Sequence, residues 1–155
     1  MALVDAHGAE LFAFLRRLCG NPHDAEDLFQ ETSVRVWRHL DEVPRLRNPR
    51  GWLMTIAYRA FLDLRSRRAS SRSELPEDPP DRRQPTVEDT LERAENAERI
   101  KFALSNLSDG ARDVVLLHYA GGLSLSQTAA ALQLSEGTVK SRLNSALIGL
   151  RRLLK

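Results

Sequence analysis

The sequence predicts an all-α fold, arranged as two small helical domains joined by a flexible acidic linker. Three observations carry this reading. Apolar residues recur at spacings of three and four along most of the chain, which is the period of a helix with one buried face. Helix-starting and helix-stopping residues fall between these runs. One proline-rich acidic strip then interrupts the pattern, and no segment alternates as a half-buried strand would.

In the first run Leu11, Phe14, Leu15 and Leu18 share a stripe, and Gly20-Asn21-Pro22 ends it. The next, "DAEDLFQETSVRVWRHL", places Ala25, Leu28, Phe29, Val36, Trp37 and Leu40 on one side. Asp24, Asp27, Glu31, Arg35 and Arg38 stand opposite. Acids in its first turn and cations in its last suit the helix dipole. A loop with two prolines and three arginines, "DEVPRLRNPRG", leads to a third helix through Trp52, Leu53, Ile56, Ala57, Ala60, Phe61 and Leu64. It closes on the basic cluster Arg65, Arg67 and Arg68. Three such helices can share one small core, so residues 1–69 are read as the first domain.

From residue 70 to about 90 the pattern disappears. "SSRSELPEDPPDRRQP" has four prolines, a single leucine and no aromatic residue. It cannot bury enough surface to fold alone and is expected to be a flexible linker. Residues 91–155 form the expected second domain. A helix resumes near Val87–Leu91, at the end of the linker, and passes through Ile100, Ala103, Leu104 and Leu107. Ser108 caps "DGARDVVLLHYA", which Gly121-Gly122 stops.

The closing stretch is the most specific. Ser124 with Gln127 three residues on is a capping box for "LSQTAAALQ". "LSEG" breaks that short helix, and Ser135 caps another running to about Leu154. Two helices joined by so short a turn cross steeply, as in a helix-turn-helix. Steep crossing brings backbones close, which explains an alanine at 129 with Ala130 or Ala131 beside it. Leu125, Leu132, Val139, Leu143 and Leu147 fill the core beneath. The outer face then shows Thr138, Lys140, Ser141, Arg142, Asn144 and Ser145. These are hydroxyls, an amide and cations, the groups that contact phosphates and base edges in a major groove.

Charge agrees with this reading. Residues 99–155 carry 8 Lys/Arg against 3 Asp/Glu, residues 1–69 carry 11 against 9, and residues 70–98 carry 4 against 9. Basic ends around an acidic middle suit an anionic partner. Cys19 is the only cysteine, which excludes an intramolecular disulfide and reads as a small apolar helix residue. No apolar run approaches a membrane span. The start lacks a basic region and carries Asp5 and Glu10, so a leader is not expected and the protein reads as cytoplasmic. His7, His23, His39 and His118 are scattered. With no glycine-rich phosphate loop, metal-ligand spacing or nucleophile–base set, neither an enzyme nor a metal or cofactor is expected.

Taken together, these motifs resemble a bacterial sigma factor of the extracytoplasmic-function (group 4, sigma-70) family, over nearly the whole chain. "DAEDLFQETSVRVWRHL" is similar to region 2.2, "RNPRGWLMTIAYRAFLDLRSRR" to regions 2.3 and 2.4, and "LSDGARDVVLLHYAGGLSLSQTAAALQLSEGTVKSRL" to region 4. The resemblance implies an alternative sigma subunit that binds core RNA polymerase and directs promoter-specific initiation. Asp27, Gln30, Glu31 and Arg35 would dock on the clamp helices of the largest polymerase subunit, with the flap as a further contact. Arg45, Arg47, Asn48 and Arg50 in the loop, with Arg59, Arg65 and Arg68 along the third helix, would hold the −10 element and a flipped base. Thr138, Lys140, Ser141, Arg142, Asn144 and Ser145 would bind the −35 element. An acidic linker would thread toward the RNA exit path, and an anti-sigma factor or other regulator would be a partner.

Plainer readings stand beside these. Trp37 and Trp52 fall on apolar stripes and are expected in the core rather than stacked on bases. Asp24 and Asp27 suit a first helical turn without any partner. Two departures from the family bear on the −35 site. Gln133 stands where its helix-turn-helix often has glycine, and Ser145 and Leu147 stand where it often has arginines. Two alternatives therefore stay open: a sigma-like mimic that sequesters an anti-sigma factor, and a conventional helix-turn-helix regulator.

Overall fold

The computed structural model describes residues 2–71 and 91–154, and of Leu91 the backbone only. The regular structure of the described residues is all helical, in the order α1 (Ala2–Cys19), α2 (Pro22–Arg38), α3 (Pro49–Ser71), α4 (Leu91–Ser105), α5 (Asp109–Val115), α6 (Leu125–Leu132) and α7 (Glu136–Leu153). A 3-10 turn, Val43–Arg45, precedes α3, and a π turn, Leu116–Ala120, extends α5. Of the expected linker, residues 70–90, Ser70 and Ser71 instead continue α3, since the helix runs on through them, and residues 72–90 lie outside the described residues, as does the start of the expected restart at Val87–Leu91. None of the described helices is long and apolar enough to cross a membrane.

Side-chain caps set the boundaries of most helices. Asn21 accepts from the Asp24 amide at 2.9 Å, with Pro22 at the first turn of α2. Asn48 accepts from the Gly51 amide at 3.0 Å at the start of α3. Ser108 and Ser135 cap α5 and α7, and the Ser124–Gln127 capping box opens α6 with both of its hydrogen bonds formed. Each side-chain oxygen satisfies an amide that the first turn leaves unpaired.

α1, α2 and α3 pack on one another through Leu11, Phe14, Leu15, Leu28, Val36, Leu53, Met54 and Ala57. The same cluster continues into Leu116, Leu117, Leu123 and Ala131 of the C-terminal part. A second, smaller cluster joins Val114, Ala129 and Val139, with Leu125, Leu132, Leu134 and Leu143 against it. The uninterrupted "DVVLL" run is explained by these two cores. Val114 faces one, whereas Leu116 and Leu117 face the other. The bond from the Gly121 amide to the Leu116 carbonyl (2.8 Å) widens the helix where the facing changes, and the Leu123 amide closes its end onto the Leu117 carbonyl at 3.1 Å.

The expectation for Trp37 is corrected. Its side chain is 64% exposed. α2 turns Ala25, Leu28, Thr32 and Val36 inward, and Trp37 lies about 100° around the helix from Val36. Trp52 packs half-buried against the core as expected.

Candidate nucleic-acid interface

At the helix-turn-helix, α6 ends at Gln133, which adopts the left-handed conformation at φ 56° and ψ 44°. The Leu134 amide closes the turn onto the Ala129 carbonyl at 2.9 Å. The three alanines meet three different surroundings. Ala129 is buried where α6 meets α7, Ala131 is buried against the N-terminal core, and Ala130 is exposed. α7 therefore crosses closely, with Val139 fully buried and Leu143 and Leu147 half-buried below.

The opposite side of α7 is open. Lys140, Ser141, Asn144 and Ser145 are exposed, one helical turn apart in pairs. Thr138 is half-buried and its hydroxyl lies 2.8 Å from that of Ser135. Arg142 is exposed but lies over α5, where a Cβ added to Gly110 would stand 3.0 Å from its guanidinium. The six expected residues thus divide into an outward four, a capping threonine and a flanking arginine.

The seven expected −10 residues divide further. Arg45, Arg47 and Arg59 are exposed. Asn48, half-buried, donates to the Gln127 Oε1 at 3.2 Å. Arg50 pairs with Glu10 and donates to the Gly121 carbonyl at 2.9 Å. That pairing, mainly the hydrogen bond, holds the Glu10 carboxyl below its ordinary range. Arg65 lies over the Phe61 ring, 5.2 Å from its centroid, and donates to Asp113 at 3.3 Å. Arg68 grips the buried Asp24.

On α2 the four expected polymerase contacts lie close together by helical spacing. Asp27 and Gln30 are exposed, whereas Arg35 is tied to Glu31 at 2.9 Å and to Asp63 at 2.7 Å. Val34 and Trp37, 44% and 64% exposed, continue the outward face of Asp27 and Gln30. Sequence reasoning missed both. The available signal was that Ala25, Leu28, Thr32 and Val36 already complete an inward stripe.

Residues 3–71 match the family Sigma-70 region 2, and residues 97–148 match Sigma-70, region 4. The chain is 36% identical to the ECF RNA polymerase sigma factor SigL of Mycobacterium tuberculosis, across 99% of its own length and 88% of that protein's. This chain belongs to the ECF sigma factors of the sigma-70 family. SigK of Mycobacterium sp. (strain KMS) is 29% identical, over 99% of this chain and 81% of the relative.

Solved sigma factors share its fold. CnrH, in complex with the cytosolic domain of CnrY, superposes with a TM-score of 0.68 at 32% identity, covering 99% of this chain and 85% of CnrH. RpoE of Bartonella quintana, in complex with the anti-sigma factor NepR, gives 0.73 at 29% identity, covering 99% and 92%. As an ECF sigma factor the chain is an alternative sigma subunit, a transcription initiation factor that acts with core RNA polymerase on promoter DNA. Such factors are non-enzymatic.

Proposed function

We propose that this sigma factor reads −35 DNA with the outward face of α7, holds −10 DNA with the loop before α3, and docks on polymerase through α2. The single observation that carries this is the α7 face. Lys140, Ser141, Asn144 and Ser145 stand exposed on the second helix of a closely crossed pair, while Val139 and Leu143 turn inward. A cation positions the helix on phosphate, and a hydroxyl and an amide suit base edges. With it go the proposed domain limits: residues 1–69, with α3 running on to Ser71, for polymerase and the −10 element, a linker from there to residue 90, and 91–155 for the −35 element.

On α2, Asp27 and Gln30 supply a polar face for the clamp helices, and Trp37 with Val34 supplies an apolar anchor. Exposed tryptophans at contact surfaces contribute strongly to binding. Glu31 and Arg35 hold each other and shape the face. Of the −10 set, Arg45, Arg47 and Arg59 are open cations in this conformation. The cytoplasm is the place of action, since core polymerase and promoter DNA are there. The likeness to sigma factors held by CnrY and NepR supports a protein regulator of the anti-sigma kind.

Fluorescence anisotropy tests the docking assignment. Asp27→Lys and Trp37→Ala should each weaken binding to core polymerase about tenfold while circular dichroism stays unchanged. Unchanged affinity in both variants would remove α2 as the docking helix.

A further inference from the structure

We propose that a notch between α1 and α2 receives an arginine or lysine side chain of core polymerase, so that docking extends from α2 onto α1. The notch is lined by Gly8, Phe12, Glu26, Phe29 and Gln30 and holds about 340 Å³. Glu26 and Gln30 form its exposed rim, whereas Gly8, Phe12 and Phe29 lie half-buried beneath. Phe12 and Phe29 meet edge to face, with centroids 6.3 Å apart, and both pack against the core of the first three helices. The floor is therefore aromatic carbon held in place from below.

Gly8 keeps the notch open. It stands in the interior of α1, where glycine weakens a helix relative to alanine. Neither the backbone nor the packing asks for it. Its φ is not positive, and an added Cβ would meet only the Phe29 ring, at 3.7 Å, an ordinary van der Waals contact. A longer side chain at this position would grow into the notch. The glycine thus weakens α1 for no reason within the described fold, and the space it leaves lies beside the docking face.

The lining selects the occupant. Neighbouring acids are engaged, Asp27 with His23 at 3.7 Å and Glu31 with Arg35 at 2.9 Å, whereas Glu26 has no ion-pair partner among the described residues. Aromatic rings under a carboxylate and an amide suit a cation carried on an aliphatic stem. The stem lies on the rings, and the head donates to Glu26 and to the Gln30 carbonyl. An acidic side chain would be repelled by Glu26 and Asp27. A wholly apolar one would desolvate Glu26 without compensation. Continuity names the source. Gln30 belongs both to the notch and to the exposed face of α2 that carries Asp27, Val34 and Trp37, so a partner lying on that face passes over the rim. This inference rests on the reading of α2 as the helix that docks on polymerase.

Gly8→Leu tests it, because it fills the notch and leaves every group of the α2 face in place. Glu26→Gln removes the rim charge, and Ala6→Leu is the control, adding the same bulk at an exposed position about 200° around α1. Fluorescence anisotropy of the full chain with core polymerase should show Gly8→Leu binding about tenfold more weakly. Glu26→Gln should bind about threefold more weakly, and that gap should narrow as salt is raised, because an exposed charge pair is screened. Ala6→Leu should bind as wild type, and circular dichroism should show all three folded. Wild-type affinity in folded Gly8→Leu would overturn the notch, and so would an equal loss in Ala6→Leu. Wild-type affinity in Glu26→Gln would overturn the cationic occupant, and this exposed position decides the matter even if Gly8→Leu fails to fold. Loss in Asp27→Lys and Trp37→Ala without loss in Gly8→Leu would leave α2 docking standing and remove the notch alone. Wild-type affinity in all four would remove the docking reading itself.

Discussion

Arg68 holds Asp24 with both of its terminal nitrogens, at 2.6 and 2.7 Å, tying the end of α3 to the start of α2. Asp24 is 6% exposed and also accepts from the Asn21 amide group at 2.8 Å. A basic cluster at a helix end reads in sequence as a nucleic-acid track, yet this arginine neutralises a buried acid.

Arg68→Ala should therefore lower stability by about 2 kcal/mol, because it strands a buried carboxylate. An exposed arginine with only a DNA role would give a change near zero. Urea unfolding at neutral pH measures the difference. The hydrogen bond from Arg68, chiefly, holds the Asp24 carboxyl below its ordinary value of 3.8. A depressed acid stabilises the fold fully above its unfolded value and loses that contribution as pH falls through the folded one. The gap between wild type and Arg68→Ala should accordingly narrow as pH drops below about 4. A gap independent of pH would remove the ion pair as its cause.

At the helix-turn-helix, Ala129→Leu should overpack the α6–α7 crossing and cost about 1–3 kcal/mol. Gln133→Gly should act in the opposite sense and gain about 1 kcal/mol, since the left-handed conformation strains a residue with a Cβ. Thermal denaturation of the two variants separates the effects. Equal destabilisation by both would show that the turn is held by the Gln133 side chain and not by its backbone.

Much of this was legible in the sequence because it is local. Caps, stop signals and the three-four spacing act within one or two turns, so Ser108, Ser124 and Ser135 mark true helix starts. Ala129 announced a close crossing for the same reason. The Cys19 reading also holds. The residue is half-buried and free, and burial pushes its thiol up to about 12. What could not be read joins distant segments. Tyr58 meets Asp113 across 55 positions, and no periodicity encodes that pairing. Trp37 was misread because hydrophobicity alone does not say which side of an amphipathic helix a boundary residue takes. The −10 cations were identifiable as a group, but their partners Asp24, Asp113 and Gly121 come from other helices or turns.

Lys140 and Arg142 should differ on −35 DNA. Lys140→Ala should reduce the slope of log affinity against log salt by about 0.9, the loss of one phosphate contact. Arg142→Ala should reduce it less, because its guanidinium packs over Gly110. Alanine at Ser141 or Asn144 should change the preferred sequence more than the slope. Salt titrations on one promoter duplex measure the slopes, and selection from a randomised duplex pool measures the preference. A Lys140→Ala slope equal to wild type would turn the α7 face away from DNA.

Run-off transcription tests the central claim most directly. Purified protein would be mixed with core RNA polymerase and genomic fragments, with and without Lys140→Ala. The account predicts discrete transcripts that depend on the protein and share −10 and −35 elements upstream of their starts. Lys140→Ala should reduce their yield while leaving the protein folded. Absence of any specific transcript, from a preparation that also fails to bind core polymerase, would contradict it.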